Sequence, residues 1–540
     1  MNSLNAQRTE MTLPALLAAR ATRRSPMLLE RGKRVGFAEI AAESRCVATG
    51  LSRLGIGPGD RVALWLPNVS AWLSCFFACA QLGAIAVSVN TRFRAHEVAD
   101  IVGRSGAKLL VYWPGFKGID FASILDEAGP SALASVQALI AYAEGAPQAA
   151  NGAGTAPTIT GKPTLAYATL AAAPPSAADA AAADAGCIIF TTSGTTKAPK
   201  FVLLDQRGVI AHAHDVARGF GLDHDAVMLL VPPLCGVFGF CCAMSAFAAG
   251  RPLVMRPTWD AALAATDIAA HRVTHANATD DAIVQLLAQT SADIAFPSVR
   301  FFGYATFNPG LADIVERAER RGLSLVGLYG ASEVQALFAR QDEHARLAER
   351  RLAGGRPVSD AARVRARDPE SGRIQPHGEA GELEFLSPNS RMACYFGNPE
   401  ATRDAITADG FYRSGDLGAT TADGRFVFLT RMGDSLRLGG FLVSPLEIEG
   451  VVQEVPGITA CQVVGVPGAS GLVPVAFVIP SPGATLDEAA VRAHVASRLA
   501  KFKVPQRIVS IDAFPVTPGA NATKIQKGKL REWAAALLAR

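Results

Sequence analysis

The chain has 540 residues, too many for one hydrophobic core, so two or more domains are expected. Its 52 basic and 48 acidic residues leave a net charge of +4 with no basic run, which argues against nucleic acid as a partner. The nine cysteines are scattered, lie mostly in apolar runs (Cys75, Cys79, Cys241, Cys242) and form no Cys-x-x-Cys pair, so a reducing cytoplasm is expected rather than a disulfide framework or a zinc site.

Met1 to Pro14 carries Arg8 and Glu10 and no apolar stretch, so no secretory signal is expected. After the turn Gly57-Pro58-Gly59-Asp60, Arg61 to Leu66 predicts a strand, and Asn68 is placed to cap a helix running to Gln81. Ala84–Val89, Ala95–Arg104 and Ala107–Tyr112 continue the alternation as strand, helix and strand, which predicts a parallel, doubly wound α/β sheet. From 145 to 184, Ala, Pro, Gly and Thr replace large apolar residues, so a long surface excursion is expected there.

Cys187 to Phe190 predicts a short strand that opens onto Thr191–Lys200, a stretch with five hydroxyls and two lysines. Gly194 lets that backbone turn so that successive N–H groups can point inward, which suits a polyphosphate. It is not a Walker-type loop, because Gly-x-x-x-x-Gly-Lys does not occur in it. Met228–Gly250 is apolar and uncharged, but Pro232-Pro233 and three glycines interrupt it, predicting a buried strand, loop and helix and no membrane span.

Leu325–Glu333 predicts a strand ending in a tight turn. Tyr329 offers a flat surface for a purine, Ser332 a donor to phosphate or acid, and Glu333 a hard oxygen ligand for Mg²⁺. Gly378–Glu384 predicts a strand entering a barrel-like unit, and Asn398-Pro399 a helix start. In Gly410–Asp416 a glycine turn precedes Asp416, whose two oxygens can accept both hydroxyls of a ribose. Ser444-Pro445-Leu446-Glu447 reads as a capping box opening a compact α+β unit with strands at Cys461–Val466 and Val473–Ile479 and a helix at Leu486–Leu499.

These segments resemble, in order, the signatures of the adenylate-forming superfamily, which includes the AMP-forming acyl-CoA synthetases. Thr192–Thr196, Pro199 and Lys200 fit its Thr-Ser-Gly-Thr-Thr-Gly-x-Pro-Lys-Gly loop, while Thr191, Lys197 and Phe201 depart. Tyr329–Glu333 matches the Tyr-Gly-x-Thr/Ser-Glu motif throughout, Tyr412–Asp416 resembles the Ser/Thr-Gly-Asp motif, and Lys524 stands where the family has a C-terminal lysine. The resemblance covers nearly the whole chain. It implies two doubly wound sheets plus a small β-barrel in residues 1–432, hinged at Gly433 to a mobile α+β domain of residues 433–540.

It also implies a set of roles. The ATP phosphates fall to Thr192, Ser193, Gly194, Thr195, Thr196 and Lys200. Adenine and ribose fall to Gly303, Tyr304, Ala305, Tyr329, Gly330, Asp416 and Arg431. Catalysis falls to Lys524, Glu333 and Ser332, with Glu333 on Mg²⁺, and Gly439 and Gly440 border the coenzyme A tunnel. Cys235 replaces the family's histidine at the acyl pocket, beside Phe238 and Tyr304. Tyr304 is bulkier than the usual residue; it shortens the pocket, offers its hydroxyl to the substrate, or is a half-buried tyrosine with its own partner. Phe238, Phe240, Tyr304 and Phe338 suggest an apolar, partly aromatic pocket for an aryl, alicyclic or medium-chain acid.

The implied reaction is attack of a small-molecule carboxylate on ATP, giving an acyl-adenylate and pyrophosphate, then displacement of AMP by a thiol. Coenzyme A is the expected thiol, because the chain ends soon after Lys524 without a carrier domain. Two alternatives stand beside it: a stand-alone enzyme that loads a carrier protein, and a catalytically weakened adenylate-binding protein. A cytoplasmic location is expected, and a homodimer is compatible with the reading.

Overall fold

The computed structural model describes residues 11–144, 158–176, 179–192, 199–291, 293–306, 311, 313–432, 436–438, 441–468, 471–499, 501–518 and 523–538. Among these, nine strands form one sheet in the order Cys394–Tyr395, Phe201–Asp205, Gly186–Thr191, Ile85–Ser88, Arg61–Trp65, Leu109–Tyr112, Ala138–Ala141, Lys162–Ala166, Thr158–Ile159. Six of them, from Gly186–Thr191 to Lys162–Ala166, run parallel, as the strand and helix alternation predicts.

A larger sheet of thirteen described strands has a parallel part made of Pro26–Glu30, Leu253–Met255, Met228–Leu230, His275–Thr279, Phe301–Ala305 and Leu325–Ala331. At Leu325–Ala331 the direction changes: Gln335–Arg340 returns antiparallel, and Gly354–Pro357, Phe426–Arg431, Tyr412–Thr420, Gly381–Leu386 and Arg363–Arg367 follow. The unit expected to be barrel-like is thus the antiparallel continuation of the larger sheet.

Side chains alternate along these strands, which sorts them into layers. Met228 and Leu230 enter a core shared by the two sheets, while Leu229 enters a second core on the far face of the larger sheet. The shared core is filled by helices Phe37–Arg53, Ser70–Gln81, Gln206–Gly219 and Val237–Ala249. Ser70–Gln81 and Val237–Ala249 are buried on nearly every side, which is why neither shows an amphipathic pattern. Trp72 and Phe76 meet Phe240 at ring distances of 6.3 and 5.2 Å. The apolar run Met228–Gly250 is spent in this way, as strand Met228–Leu230 and helix Val237–Ala249. No described helix is long and apolar enough to cross a membrane.

Three local expectations are corrected. Asn68 does not cap the following helix; Val69 holds the cap position, and Asn68 Oδ1 instead accepts a 2.7 Å bond from the Leu234 amide, tying the helix start to the Pro232-Pro233 loop. Ser444 caps nothing with its side chain: its hydroxyl donates to the Leu429 carbonyl, and Glu447 is drawn to Lys503 at 2.6 Å and not back to the cap. The surface excursion expected over 145–184 fails for its described middle. Lys162–Ala166 adds a parallel strand beside Ala138–Ala141, and Tyr167–Ala171 is a helix with Tyr167 and Leu170 buried. Few large side chains suffice there, because Tyr167 also donates to Glu43 Oε1 at 2.6 Å.

Towards the C-terminus, Ile458–Gly468 and Gly471–Pro480 form a long antiparallel hairpin, and Arg507–Ser510 joins it in parallel. Helices Pro445–Gln453 and Glu488–Arg498 build one core on this sheet, and Lys527–Leu538 a smaller one. Lys524 lies in the short strand Thr523–Ile525, its backbone opposite Thr517.

Candidate active site

The loop after Phe190 sits on a β-hairpin. Gly186–Thr191 pairs antiparallel with Phe201–Asp205, Thr191 standing opposite Phe201. One step further the neck is closed twice: the Thr192 amide donates to the Lys200 carbonyl at 2.9 Å, and the Lys200 amide to Thr192 Oγ1 at 3.1 Å. Lys200 brings positive charge to this neck. Arg104, which sequence reading passed over, donates to the Pro199 carbonyl at 2.8 Å and lies 4.1 Å over the ring of Phe201. Phe201 is buried in the outer core of the smaller sheet, which accounts for a large residue where the resembling loops have glycine. Ser193, Gly194, Thr195, Thr196 and Lys197 lie outside the described residues.

The second motif is carried by the direction change in the larger sheet. Leu325–Ala331 runs into a single 3₁₀ turn, Ser332–Val334, and returns as Gln335–Arg340. The return is tight: a Cβ on Gly330 would stand 2.6 Å from Ala336 Cα, so only glycine fits. Gln335 and Leu337 take positive φ, 61° and 64°, a conformation that costs such residues free energy. Gln335 is held there by its side-chain amide, which donates to the Gly208 carbonyl at 3.0 Å. Ser332 is half-buried and Glu333 is 8% exposed.

Asp416 follows Gly415, whose φ of +67° makes the turn. The turn is pinned from behind: Gly415 donates its amide to Glu382 Oε1 at 3.1 Å, and Ser414 Oγ accepts the Asp416 amide at 3.0 Å. Asp416 is 2% exposed, and the Tyr329 hydroxyl donates to its Oδ2 at 2.5 Å. Arg431 Nε stands 3.0 Å from Oδ1, near enough to pair charges, yet its N–H is not directed at that oxygen, which is left buried without a hydrogen bond. Burial pushes the Asp416 carboxyl up to about 6, with Arg431 pulling it down. Tyr329 therefore has a defined task as the prop of Asp416. Its ring is enclosed by Phe426, Phe385 and Phe428 at 5.1, 5.3 and 5.9 Å, so it offers a purine only an edge or part of one face.

Tyr395 was not legible as a site residue, and Tyr412 was read only as the first residue of the Tyr412–Asp416 motif, with no role of its own. The Tyr395 hydroxyl donates to Glu333 Oε1 at 2.7 Å, and Tyr412 is buried close to both. Burial, then the charge of Glu333, push the Tyr395 phenol well up, so it remains a donor at neutral pH. The other oxygen of Glu333 is left for a ligand. No group of three or more His, Cys, Asp or Glu that could hold a metal occurs among the described residues. A single carboxylate fits Mg²⁺, which commonly takes one or two protein carboxylates and completes its shell with phosphate and water.

The acyl-pocket expectations are corrected. Along Phe301–Ala305, Phe301 enters the shared core, whereas Phe302 and Tyr304 enter the second core on the opposite face. Phe238 belongs to the shared core, so the side chains of Tyr304 and Phe238 lie on opposite sides of the larger sheet. Tyr304 is 3% exposed and its hydroxyl donates to the Arg351 carbonyl; burial pushes it up to about 12. Phe240 and Phe338 are fully buried core residues, the latter against Phe385 and Phe426. Gly303 is buried and Ala305 half-buried at the end of the same strand. Cys235 is half-buried, its carbonyl accepts from Ser88 Oγ at 2.8 Å, and burial pushes its thiol up to about 12, so it stays protonated.

Tyr304→Phe should accordingly leave the ranking of acid substrates unchanged while lowering stability by about 1 kcal/mol, the worth of one hydrogen bond. A panel of acids and a denaturant titration check the two halves. A changed ranking would return Tyr304 to the pocket. Gly433, Gly439 and Gly440 lie outside the described residues, as does the side chain of Lys524.

A buried carboxylate with one open oxygen, a second carboxylate and a lysine that share one tyrosine, and a hydroxyl-rich hairpin loop suit an enzyme that grips a nucleoside polyphosphate by its sugar and its charges. Comparison with known proteins agrees. The chain matches the AMP-binding enzyme model over residues 17–396 and the AMP-binding enzyme C-terminal domain over residues 447–520. It belongs to the AMP-binding enzyme family and is an AMP-forming acid–thiol ligase.

Among its relatives is a feruloyl-CoA synthase of Amycolatopsis sp, 29% identical over 506 residues, or 93% of this chain and 94% of that one. Another is the 3-[(3aS,4S,7aS)-7a-methyl-1,5-dioxo-octahydro-1H-inden-4-yl]propanoyl:CoA ligase of Mycobacterium tuberculosis, 32% identical over 537 residues, 96% of this chain and 98% of that one. The crystal structure of ATP-bound MatB from Rhodopseudomonas palustris superposes with a TM-score of 0.81 at 25% identity, covering 97% of this chain and 99% of that one.

Proposed function

We propose that the protein activates an apolar carboxylic acid, aryl, alicyclic or medium-chain, with ATP and Mg²⁺ and transfers the acyl group to coenzyme A, in the cytoplasm. The observation that carries the nucleotide half is Asp416 Oδ1, a buried, charged oxygen without a hydrogen bond, which a ribose hydroxyl would satisfy. The acid class is supported by the relatives, one acting on a feruloyl and one on a fused-ring propanoyl group.

In this reading Thr192–Thr196 and Lys200 hold the β- and γ-phosphates, and Gly303, Tyr304 and Ala305 face adenine through their backbone. Tyr329 and Gly330 border the base, while Asp416 and Arg431 take the ribose. Ser332 donates to the acid or to phosphate. Glu333 holds Mg²⁺, which when bound offsets charge on the phosphates. Lys524 meets the α-phosphate and the attacking carboxylate. Residues 433–540 turn about Gly433 between the two half-reactions, and Gly439 and Gly440 border the path of the thiol. Holding carboxylate and phosphorus in line and neutralising phosphate charge provide most of the rate.

Carboxylate-dependent exchange of labelled pyrophosphate into ATP tests the first half. Exchange is expected with hydroxycinnamic or alicyclic propanoic acids, and formation of the acyl-CoA with free coenzyme A tests the second. No exchange across a broad panel of acids would overturn the reading.

A further inference from the structure

Tyr395 lies on the two-residue strand Cys394–Tyr395, paired antiparallel with Phe201–Asp205 so that Tyr395 stands opposite Val202. The segment around it is bonded at both ends to the site. The Met392 amide donates to the carbonyl of Glu333 itself at 2.7 Å, the Ala393 amide to Leu203 at 2.8 Å, and the Phe396 amide to Phe201 at 2.7 Å, one residue past Lys200. Residues 392–396 thus form a strap between the turn that carries Glu333 and the hairpin that carries the phosphate loop.

The side chain repeats the connection in chemical terms. The hydroxyl donates to Glu333 Oε1 at 2.7 Å, and the Lys200 ammonium stands over the ring, 4.5 Å from its centroid. Tyr395 is 3% exposed and Glu333 8%, whereas Lys200 is exposed. A hydrogen bond to a buried carboxylate is strong, and an ammonium on an aromatic face is weaker and keeps its water on the other side. One residue therefore engages an anion and a cation by different parts of its side chain.

We propose that Tyr395 is a positioning residue with two separable tasks: its hydroxyl fixes one oxygen of Glu333, leaving the other for the metal, and its ring holds Lys200 at the neck of the phosphate loop. The assignment rests on the nucleotide-binding reading above. The two tasks belong to different atoms, so they part in different variants. Tyr395→Phe removes the hydroxyl and keeps the ring; Tyr395→Leu removes both.

Equilibrium binding of ATP, measured with EDTA and again with Mg²⁺, separates them without relying on turnover. In EDTA, Tyr395→Phe should bind ATP like the wild type, and Tyr395→Leu about 2- to 5-fold more weakly, the range of an exposed cation–π contact. On adding Mg²⁺, both variants should lose on the order of 10-fold of the tightening seen in the wild type, as expected for loss of a bond to a charged group. In a Lys200→Met background, Tyr395→Leu should cause no further loss in EDTA, because the partner of the ring is gone.

The proposal is overturned if the Phe and Leu variants bind alike in EDTA, if Tyr395→Phe keeps the full effect of Mg²⁺, or if the Leu effect persists without Lys200. If the wild type binds ATP yet exchanges no pyrophosphate with any acid, the ligase reading fails while the binding comparison still decides the role of Tyr395. Thermal unfolding of each variant shows whether a loss is one of folding; if Tyr395→Leu does not fold, the Mg²⁺ response of Tyr395→Phe still decides the hydroxyl.

Discussion

Replacing Lys524 with alanine is expected to slow carboxylate-dependent pyrophosphate exchange by on the order of 10²- to 10³-fold while changing ATP affinity by less than about 3-fold. In the proposed reaction, negative charge concentrates at the α-phosphorus only as the carboxylate attacks. An ammonium aimed at that point stabilises the transition state and contributes little to the ground state. The backbone of Lys524 lies in the strand Thr523–Ile525, paired with Val516–Pro518. The cores of that C-terminal unit are separate from those around Asp416 and Glu333. The substitution should therefore leave the nucleotide contacts in the larger sheet intact. Pyrophosphate exchange and equilibrium ATP binding on the same preparation check it. Exchange within a few-fold of the wild type would remove Lys524 from the chemistry.

Asp416→Asn should move activity and stability in opposite directions. The amide oxygen can still accept from Tyr329, but the open position then holds an NH₂ donor in place of a charged acceptor, so the KM for ATP should rise by between ~30- and ~100-fold, about 2–3 kcal/mol. Burial raises the carboxyl from an ordinary 3.8 to about 6. A group raised in this way favours folding most when protonated. Its contribution is fully present below the unfolded value near 4 and is lost as pH climbs through about 6.

At neutral pH the wild type therefore carries a charged carboxylate at some cost to stability, and the Asn variant should be more stable by roughly 1–3 kcal/mol at pH 8, with the difference shrinking towards pH 4. ATP binding follows the opposite course, because only the ionised form can accept both hydroxyls. In the wild type the KM for ATP should climb as pH drops below about 6, and the Asn variant should lack that dependence. Thermal unfolding and ATP saturation curves between pH 5 and 8 test both. A variant with equal or lower stability at pH 8 would show that Arg431 already compensates the charge.

How far the site was legible follows the range of each interaction. Glu333, Asp416 and Lys200 stand within short runs in which glycine, hydroxyl and charge occur together, and such runs fold locally, on a tight turn or a hairpin neck. Tyr395 stands in no such run. Its importance arises from contacts with Glu333 and Lys200, on a different sheet and a different hairpin, so nothing beside it in the chain announces it. Glu382, which holds the Gly415 amide, was read only as part of a strand for the same reason.

The corrected readings share a second cause. Asn68 and Ser444 have the side chains of helix caps, but a distant amide at Leu234 and a distant carbonyl at Leu429 compete for them. Local propensity states what a side chain can bond; packing decides which partner arrives. Tyr304 was open between a pocket residue and a tyrosine with its own partner, and the structure gives the second. The face it occupies depends on strand register, and one step along a strand reverses it.

By itself, then, the sequence determined the class of the fold, through the alternation of strands and helices, and the chemistry available to the loop and turn segments, through residue types that act on their own neighbours. It also determined that the apolar run Met228–Gly250 would break at its prolines. Only the tertiary structure decided which oxygen of Asp416 is left open, which aromatic side chains are core and which touch the site, and that Tyr395 links the acid of one motif to the base of another. These are matters of pairing between segments far apart in the chain. Their outcome depends on burial and register, which no local stretch of sequence carries.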